Sequence, residues 1–381
     1  MKLETVSVHV GREVDAATGA VAPPMHLSTT FERDANGEYS RGFSYTRPDN
    51  PSRRALEQCI AALEGGADAT AYASGAAASL AVFSLLRPGD HVIAPIEVYH
   101  GTAKQLRDIV GPMGVRYDFV DMTNLDTVRA ALTDKTRLVW VETPSNPMLN
   151  ISDIAAIAEL GHDRGALVCV DNTFATPIWQ RPFEHGADLV MHSSTKYFGG
   201  HSDVMGGAVV TRERGAVTEQ LRDYQATAGG VPSGFDCWLL RRSLTTLSCR
   251  MRAQTETAEK LARYLSTHTR VERVLYPGLE QHPNHAIARK QMRGFGAMLS
   301  FCVAGGREEA FAVVSRLKVF TRATSLGGVE SLIEHRASVE GPHTVTPQNL
   351  LRVSVGLEHA DDLLADLDRA LAPSSADRGL A

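Results

Sequence analysis

Lys196 sits in the stretch most suited to chemistry, Asp188-Leu189-Val190-Met191-His192-Ser193-Ser194-Thr195-Lys196-Tyr197-Phe198-Gly199-Gly200-His201-Ser202. The stretch opens as a short apolar run, Asp188 to Met191, that reads as a buried strand. It then turns into hydroxyls, one lysine and a glycine pair. An amine in that setting suits covalent work, forming a Schiff base with a carbonyl. The hydroxyls suit an anion held beside it. Taken alone, the motif also fits a surface lysine in a polar loop.

Other residues raise the same question. Ser74-Gly75-Ala76-Ala77-Ala78 opens a helix after a strand. Its small residues let a phosphate approach backbone N–H groups at the positive end of the helix dipole, or let a helix pack closely on a sheet. Asp171 ends an apolar strand, and a buried carboxylate wants a cation, a cap or a core hydrogen bond. Tyr99, at another strand end, offers a ring that stacks on a flat ligand or simply packs. Arg352 is a charge inside Leu350-Leu351-Arg352-Val353-Ser354-Val355. Its fork matches a carboxylate, from a substrate or from a structural salt bridge.

One cofactor uses all of these at once: pyridoxal 5'-phosphate (PLP). Its aldehyde would take Lys196. Its phosphate would take Gly75, Ala76, Ser193 and Thr195, with Ser74 also in the cofactor site. Its ring would stack on Tyr99, and its pyridine nitrogen would pair with Asp171, so that the ring accepts carbanion electrons. Arg352 would hold an amino acid's carboxylate.

Such a site needs elements to carry it. From residue 67 to 212 apolar runs alternate with amphipathic stretches, the pattern of a mainly parallel sheet covered by helices on both faces. In such sheets ligands bind beyond the carboxyl ends of the strands, where the residues above fall. Residues 1–55 read as an irregular arm. A helix is expected from Ser52 to Leu63 with Ser52 as its cap. A large α/β domain is expected over 56–245 and a smaller α+β domain over 246–381. One long helix, Asp236 through Tyr264, would join them, and 373–381 would be a frayed tail.

Composition bounds the rest. The chain has 381 residues, 43% hydrophobic and 22% charged, with net charge −5 and no dense basic stripe, which argues against nucleic acid and anionic membrane as partners. The five cysteines show no paired spacing and read as reduced core residues. No run of about 18 apolar residues appears, and the first residues lack the apolar core of a signal peptide, so a cytoplasmic protein is expected. His282-Pro283-Asn284-His285 has no further ligands nearby in sequence, so no metal is expected.

The chain resembles the cystathionine γ-synthase/γ-lyase family, the PLP-dependent enzymes of Cys/Met metabolism, over about residues 9–371. The resemblance rests on Asp188 to Ser202, the Tyr45-Thr46-Arg47-Pro48-Asp49-Asn50-Pro51-Ser52 segment and Glu142 to Pro147. It rests also on Asp171-Asn172-Thr173, Ser325 to Ser331 and Leu351 to Gly356. It implies the aspartate-aminotransferase-like fold (fold type I), with a mainly parallel seven-stranded sheet. It implies that Tyr45 and Arg47 reach the cofactor phosphate of a neighbouring subunit, in a dimer commonly doubled to a tetramer. Thr173 would join the cofactor site, Asn146 would serve cofactor and substrate carboxylate, and Ser325 would lie near that carboxylate. Lys196 would move protons, with Tyr99 assisting. The implied reaction is γ-replacement or γ-elimination on a γ-substituted amino acid. Cystathionine γ- or β-lyase and O-acylhomoserine sulfhydrylase are the near alternatives, and a PLP-binding scaffold without turnover is the non-enzymatic one. A nucleotide-binding oxidoreductase lacks its G-x-G-x-x-G turn here.

The chain departs from the family where the distal end of cystathionine would be held. Ser44 and Thr324 stand where acidic residues are usual, and Lys104 stands where an arginine is usual. Gly101 replaces the cysteine typical of methionine γ-lyases.

Overall fold

The computed structural model describes residues 1–340 and 344–372; the expected tail at 373–381 lies outside the described residues. Seven strands form the larger sheet: β1 (Asp68–Tyr72), β2 (His91–Pro95), β3 (Arg116–Val120), β4 (Thr136–Glu142), β5 (Leu167–Asp171), β6 (Leu189–His192) and β7 (Gly207–Thr211). Their order is β1-β7-β6-β5-β4-β2-β3, and β7 runs antiparallel to both of its neighbours. The pairs β2–β3, β2–β4, β4–β5 and β5–β6 are parallel.

Both faces of the inner strands of this sheet are buried, which is why they read as near-continuous apolar runs, whereas the edge strand β3 leaves Arg116 and Asp118 exposed. One face presents Trp140, Cys169, Leu189, Met191 and Val209 to Ala78, Ala81 and Val82 of helix α3 (Gly75–Phe83). The other presents Val139, Val141, Val168, Val170 and Val190, in one core with Leu56, Ile60 and Leu63 of α2 (Pro51–Glu64). Helix α1 (Leu3–His9) precedes α2. The second sheet, in the order β10-β11-β12-β9-β8, is built from β8 (Val271–Leu275), β9 (Met298–Val303), β10 (Thr321–Arg322), β11 (Leu332–His335) and β12 (Leu350–Ser354).

Several local expectations change. The first 55 residues are not all irregular, because α1 forms and the buried Arg241 donates to the carbonyls of Ser7 and Val8 at its end. Asn50, not Ser52, caps α2: its side chain accepts the Ser52 N–H at 2.9 Å, with Pro51 in the first turn. The Ser52 hydroxyl instead accepts the His26 N–H at 3.0 Å. The long helix is two, Gly234–Leu244 and Leu247–Ser266. At the break, Thr245 and Thr246 turn their hydroxyls back onto the carbonyls of Arg242 and Ser243, and their N–H groups bond the same carbonyls. That local bonding competes with the helical ladder. Four of the cysteines are buried as free thiols, but Cys249 is exposed. His282 and His285 each bond a backbone carbonyl.

Candidate active site

Lys196 stands one turn beyond the end of β6, where its own N–H bonds the Ser193 carbonyl at 3.1 Å. Its Nζ donates to Ser325 Oγ at 2.7 Å. Burial, reinforced by the positive charges of Arg352 and Arg336, lowers the amine to about 8. Ser325 holds a left-handed backbone, φ 82°, a region non-glycine residues seldom adopt. Two residues on, Gly327 is left-handed as well, and a Cβ there would lie 2.7 Å from the Tyr197 nitrogen. This turn can therefore approach the lysine loop only with glycine at that position.

Asp171 ends β5 and Glu142 ends β4, directly opposite each other in the register. Asp171 accepts the Thr173 N–H at 3.0 Å, and the Thr173 hydroxyl accepts the Ser193 N–H at 2.9 Å. Burial raises both carboxyls; the Asp171 charge raises Glu142 further, while hydrogen bonds from Thr173 restrain Asp171. Glu142 Oε2 accepts the Tyr99 N–H at 2.8 Å, fixing the residue that precedes helix α4 (His100–Gln105). Glu97 adds a second tie, accepting from Ser145 Oγ at 2.8 Å and from Asn150 Nδ2.

Between β1 and α3, Ser74 caps the helix by accepting the Ala77 N–H at 3.1 Å. The N–H groups of Gly75 and Ala76 belong to the first turn, where no helical carbonyl can take them. A Cβ on Gly75 would lie 2.8 Å from the Ser193 side chain, so only glycine keeps this cradle open. Ser193 makes no side-chain hydrogen bond among the described residues. The Thr195 hydroxyl pairs with the Gly206 backbone, at 3.0 Å from its N–H and 3.2 Å to its carbonyl.

Arg352, on β12, reaches the same space from the second sheet. It donates to Asn146 Oδ1 at 2.9 Å, to the Ser325 carbonyl at 2.8 Å and to Glu334 Oε2 at 2.9 Å. Burial and the neighbouring Arg336 lower its guanidinium to about 10, which leaves it cationic at neutral pH.

These groups line one cavity of about 280 Å³. Of the residues singled out in the sequence, Ser74, Gly75, Ala76, Tyr99, Asn146, Asp171, Thr173, Ser193, Thr195, Lys196, Ser325 and Arg352 all border it. Tyr45 and Arg47 do not: both are exposed, and Arg47 bonds the Ala226 carbonyl. Lys104 is exposed and outside the cavity, whereas Gly101 and Thr324 border it. Sequence reading missed Glu142, His100 and Arg336, which also line it. Glu142 carried the same signal as Asp171, a carboxylate closing an apolar strand.

The cavity gathers an amine, an anion cradle at a helix start, a buried carboxylate and an aromatic face. That donor set fits a flat phosphorylated pyridine aldehyde. On this mostly parallel sheet it marks a PLP-dependent enzyme of the aspartate-aminotransferase-like class. More closely, the chain belongs to the Cys/Met metabolism PLP-dependent enzyme family, whose pattern matches residues 4–372, and its cofactor is pyridoxal 5'-phosphate. It is 49% identical to a cystathionine gamma-synthase of Mycobacterium tuberculosis over 373 residues, covering 96% of each chain. It is 43% identical to a cystathionine gamma-lyase of Dictyostelium discoideum, covering 97% of each. Among solved structures, metB from Corynebacterium glutamicum superposes with a TM-score of 0.95 at 44% identity, over 97% of this chain and 98% of that one. A methionine gamma lyase from Micromonospora echinospora (CalE6) superposes at 0.92 and 43% identity, over 98% and 99%. No helix among the described residues is long and apolar enough to cross a membrane.

Proposed function

We propose that this trans-sulfuration enzyme carries out γ-replacement, joining the carbon chain of an O-acylhomoserine to a thiol such as cysteine, as a cystathionine γ-synthase does. The observation that carries this reading is the cavity's distribution of charge. Its only lining carboxylates among the described residues are Glu142 and Asp171, one holding the Tyr99 N–H and the other the Thr173 N–H. The wall formed by His100, Thr102 and Thr324 has none. The ester part of an O-acylhomoserine brings no second ammonium and suits a wall without acids, which equally disfavours holding cystathionine as a substrate or retaining it as a product.

In this reading Gly75, Ala76, Ser193 and Thr195 hold the cofactor phosphate, Tyr99 faces its ring and Asp171 pairs with its nitrogen. Once bound, the cofactor would supply an electron sink for the pair left behind when the substrate loses its α-proton. Arg352, steadied by Asn146, grips the α-carboxylate and fixes the substrate's orientation. Lys196, whose amine is poised near neutrality, moves the protons at Cα and Cβ. Ser325 aims that amine through its hydroxyl. Tyr99 assists as acid or base, and breaking the Cγ–O bond, with the acyl group and its ester oxygen leaving as a carboxylate, opens Cγ to the thiol. Tyr45 and Arg47 serve the phosphate of the neighbouring subunit in a dimer or tetramer, in the cytoplasm.

The test is a keto-acid assay on the PLP-loaded protein. O-succinyl- and O-acetylhomoserine should yield 2-oxobutanoate alone and cystathionine when cysteine is added. Release of 2-oxobutanoate or pyruvate from cystathionine itself, at a rate above that of replacement, would make the enzyme a lyase instead.

A further inference from the structure

Arg336 begins a short turn, Arg336–Ser338, directly after β11. It is 2% exposed, yet it borders the cavity that holds Lys196 and Arg352. Its Nη1 donates to Glu334 Oε2 at 2.9 Å and its Nε to Glu340 Oε1 at 3.1 Å. Its Nη2 lies 3.1 Å from that same Glu340 oxygen. Glu334 Oε2 also receives Arg352. Glu340 is braced in turn by the hydroxyls of Thr344 and Thr346, each at 2.6 Å.

The result is a buried row of alternating charge: Arg352, Glu334, Arg336, Glu340. Its two cations border the cavity and its two carboxylates do not. A ligand in the cavity therefore meets guanidinium, with the neutralising acids behind it. A guanidinium has five N–H groups in a fixed fork. Among the described residues Arg336 commits one N–H each from Nε and Nη1 to hydrogen bonds, while Nη2 only neighbours Glu340, which leaves an N–H on both terminal nitrogens. Its charge is felt inside the cavity, since it helps to lower both Lys196 and His100.

A purely structural arginine would need only its two glutamates. The uncommitted N–H groups and the cavity border call for a ligand anion. Arg352 is already assigned to the α-carboxylate. We propose that Arg336 receives the distal end of the γ-substituent and selects an anionic acyl group, the half-ester of a dicarboxylic acid, over an uncharged one such as acetyl. This assignment rests on the amino-acid site of the function proposed above and names the substrate class within it.

The test uses amino acids with no leaving group, so that binding is read without turnover. The PLP-loaded protein is titrated with L-2-aminononanedioate, whose distal carboxylate lies as far from Cα as that of an O-succinylhomoserine, and with L-2-aminononanoate, a chain of equal length lacking it, following the visible absorption of the bound cofactor. The wild-type protein should bind the dicarboxylate at least about tenfold more tightly, the size of one hydrogen bond to a charged group. Arg336→Gln, whose amide can still take the Nε contact to Glu340, should abolish that ratio while 2-aminononanoate binding changes little. Arg336→Met should do the same, so one folded variant suffices. Equal binding of the two ligands by the wild type, or an unchanged ratio in either variant, overturns the proposal while leaving the amino-acid site intact. A cofactor band that neither ligand perturbs removes the amino-acid site itself, and with it this assignment.

Discussion

At the scale of single residues, the free amine of Lys196 is the quantity that matters. An exposed lysine is almost wholly protonated at neutral pH and is a poor nucleophile. Here burial comes first and the two arginines second in bringing the amine to about 8. The sign is clear: both causes disfavour the charged form, so the reactive neutral amine gains population as pH rises toward 8. Uptake of PLP by the cofactor-free protein, followed by stopped-flow absorption, should therefore speed up about tenfold per pH unit below 8 and level off above it. A rate that keeps climbing to about pH 10 would place the amine at an ordinary lysine value and remove the argument. Arg352 is not drawn into that profile, because at about 10 it stays charged throughout the range where Lys196 titrates.

At the scale of elements, the site depends on loops fastened to strand ends by carboxylates. Glu142 is the clearest case. It sits opposite Asp171 in the sheet and accepts the Tyr99 N–H that precedes α4. Burial and the Asp171 charge push its carboxyl well up, which favours the neutral acid. Glu142→Gln preserves an oxygen acceptor without a charge and should leave stability nearly unchanged. Glu142→Ala strands a buried N–H and should cost about 1–3 kcal/mol. Chemical denaturation of the two variants decides it, and equal losses in both would mean that the carboxyl is ionised. The same example shows what the sequence reveals. Strand-end residues such as Asp171, Tyr99 and Lys196 are legible because a parallel sheet leaves a local pattern, apolar run then polar turn. Glu142 shares that pattern, but its partner is 43 residues away and is fixed only by the register of β2, β4 and β5. Arg336 and Glu334 are harder still, since the sharing of Glu334 between Arg336 and Arg352 follows from how β11 lies against β12. The break at Thr245 and Thr246 was hidden for the opposite reason: the amphipathic pattern runs through it, and only the hydroxyl bonding interrupts the backbone.

At the scale of the whole molecule, the N-terminal segment is the part a single chain does not explain. Val14, Val21, Leu27 and Tyr45 are exposed, an unfavourable state for apolar side chains this numerous on one segment. Tyr45 and Arg47 stand outside their own chain's cavity. If these two residues complete the site of a neighbour, function becomes a property of pairs, and the pair can be tested by mixing defects. Lys196→Ala removes the amine, and Arg47→Ala removes the arm's cation; each alone should be inactive or nearly so. Co-expressed, the two chains form hybrids in which one site joins an intact Lys196 to an intact Arg47, while the other site carries both lesions. With random pairing, half of the dimers are hybrids and half of their sites are whole, so activity should return to about a quarter of wild type. An arm that served its own chain would behave otherwise. Every site in the hybrid would then hold one lesion, and mixing would restore nothing.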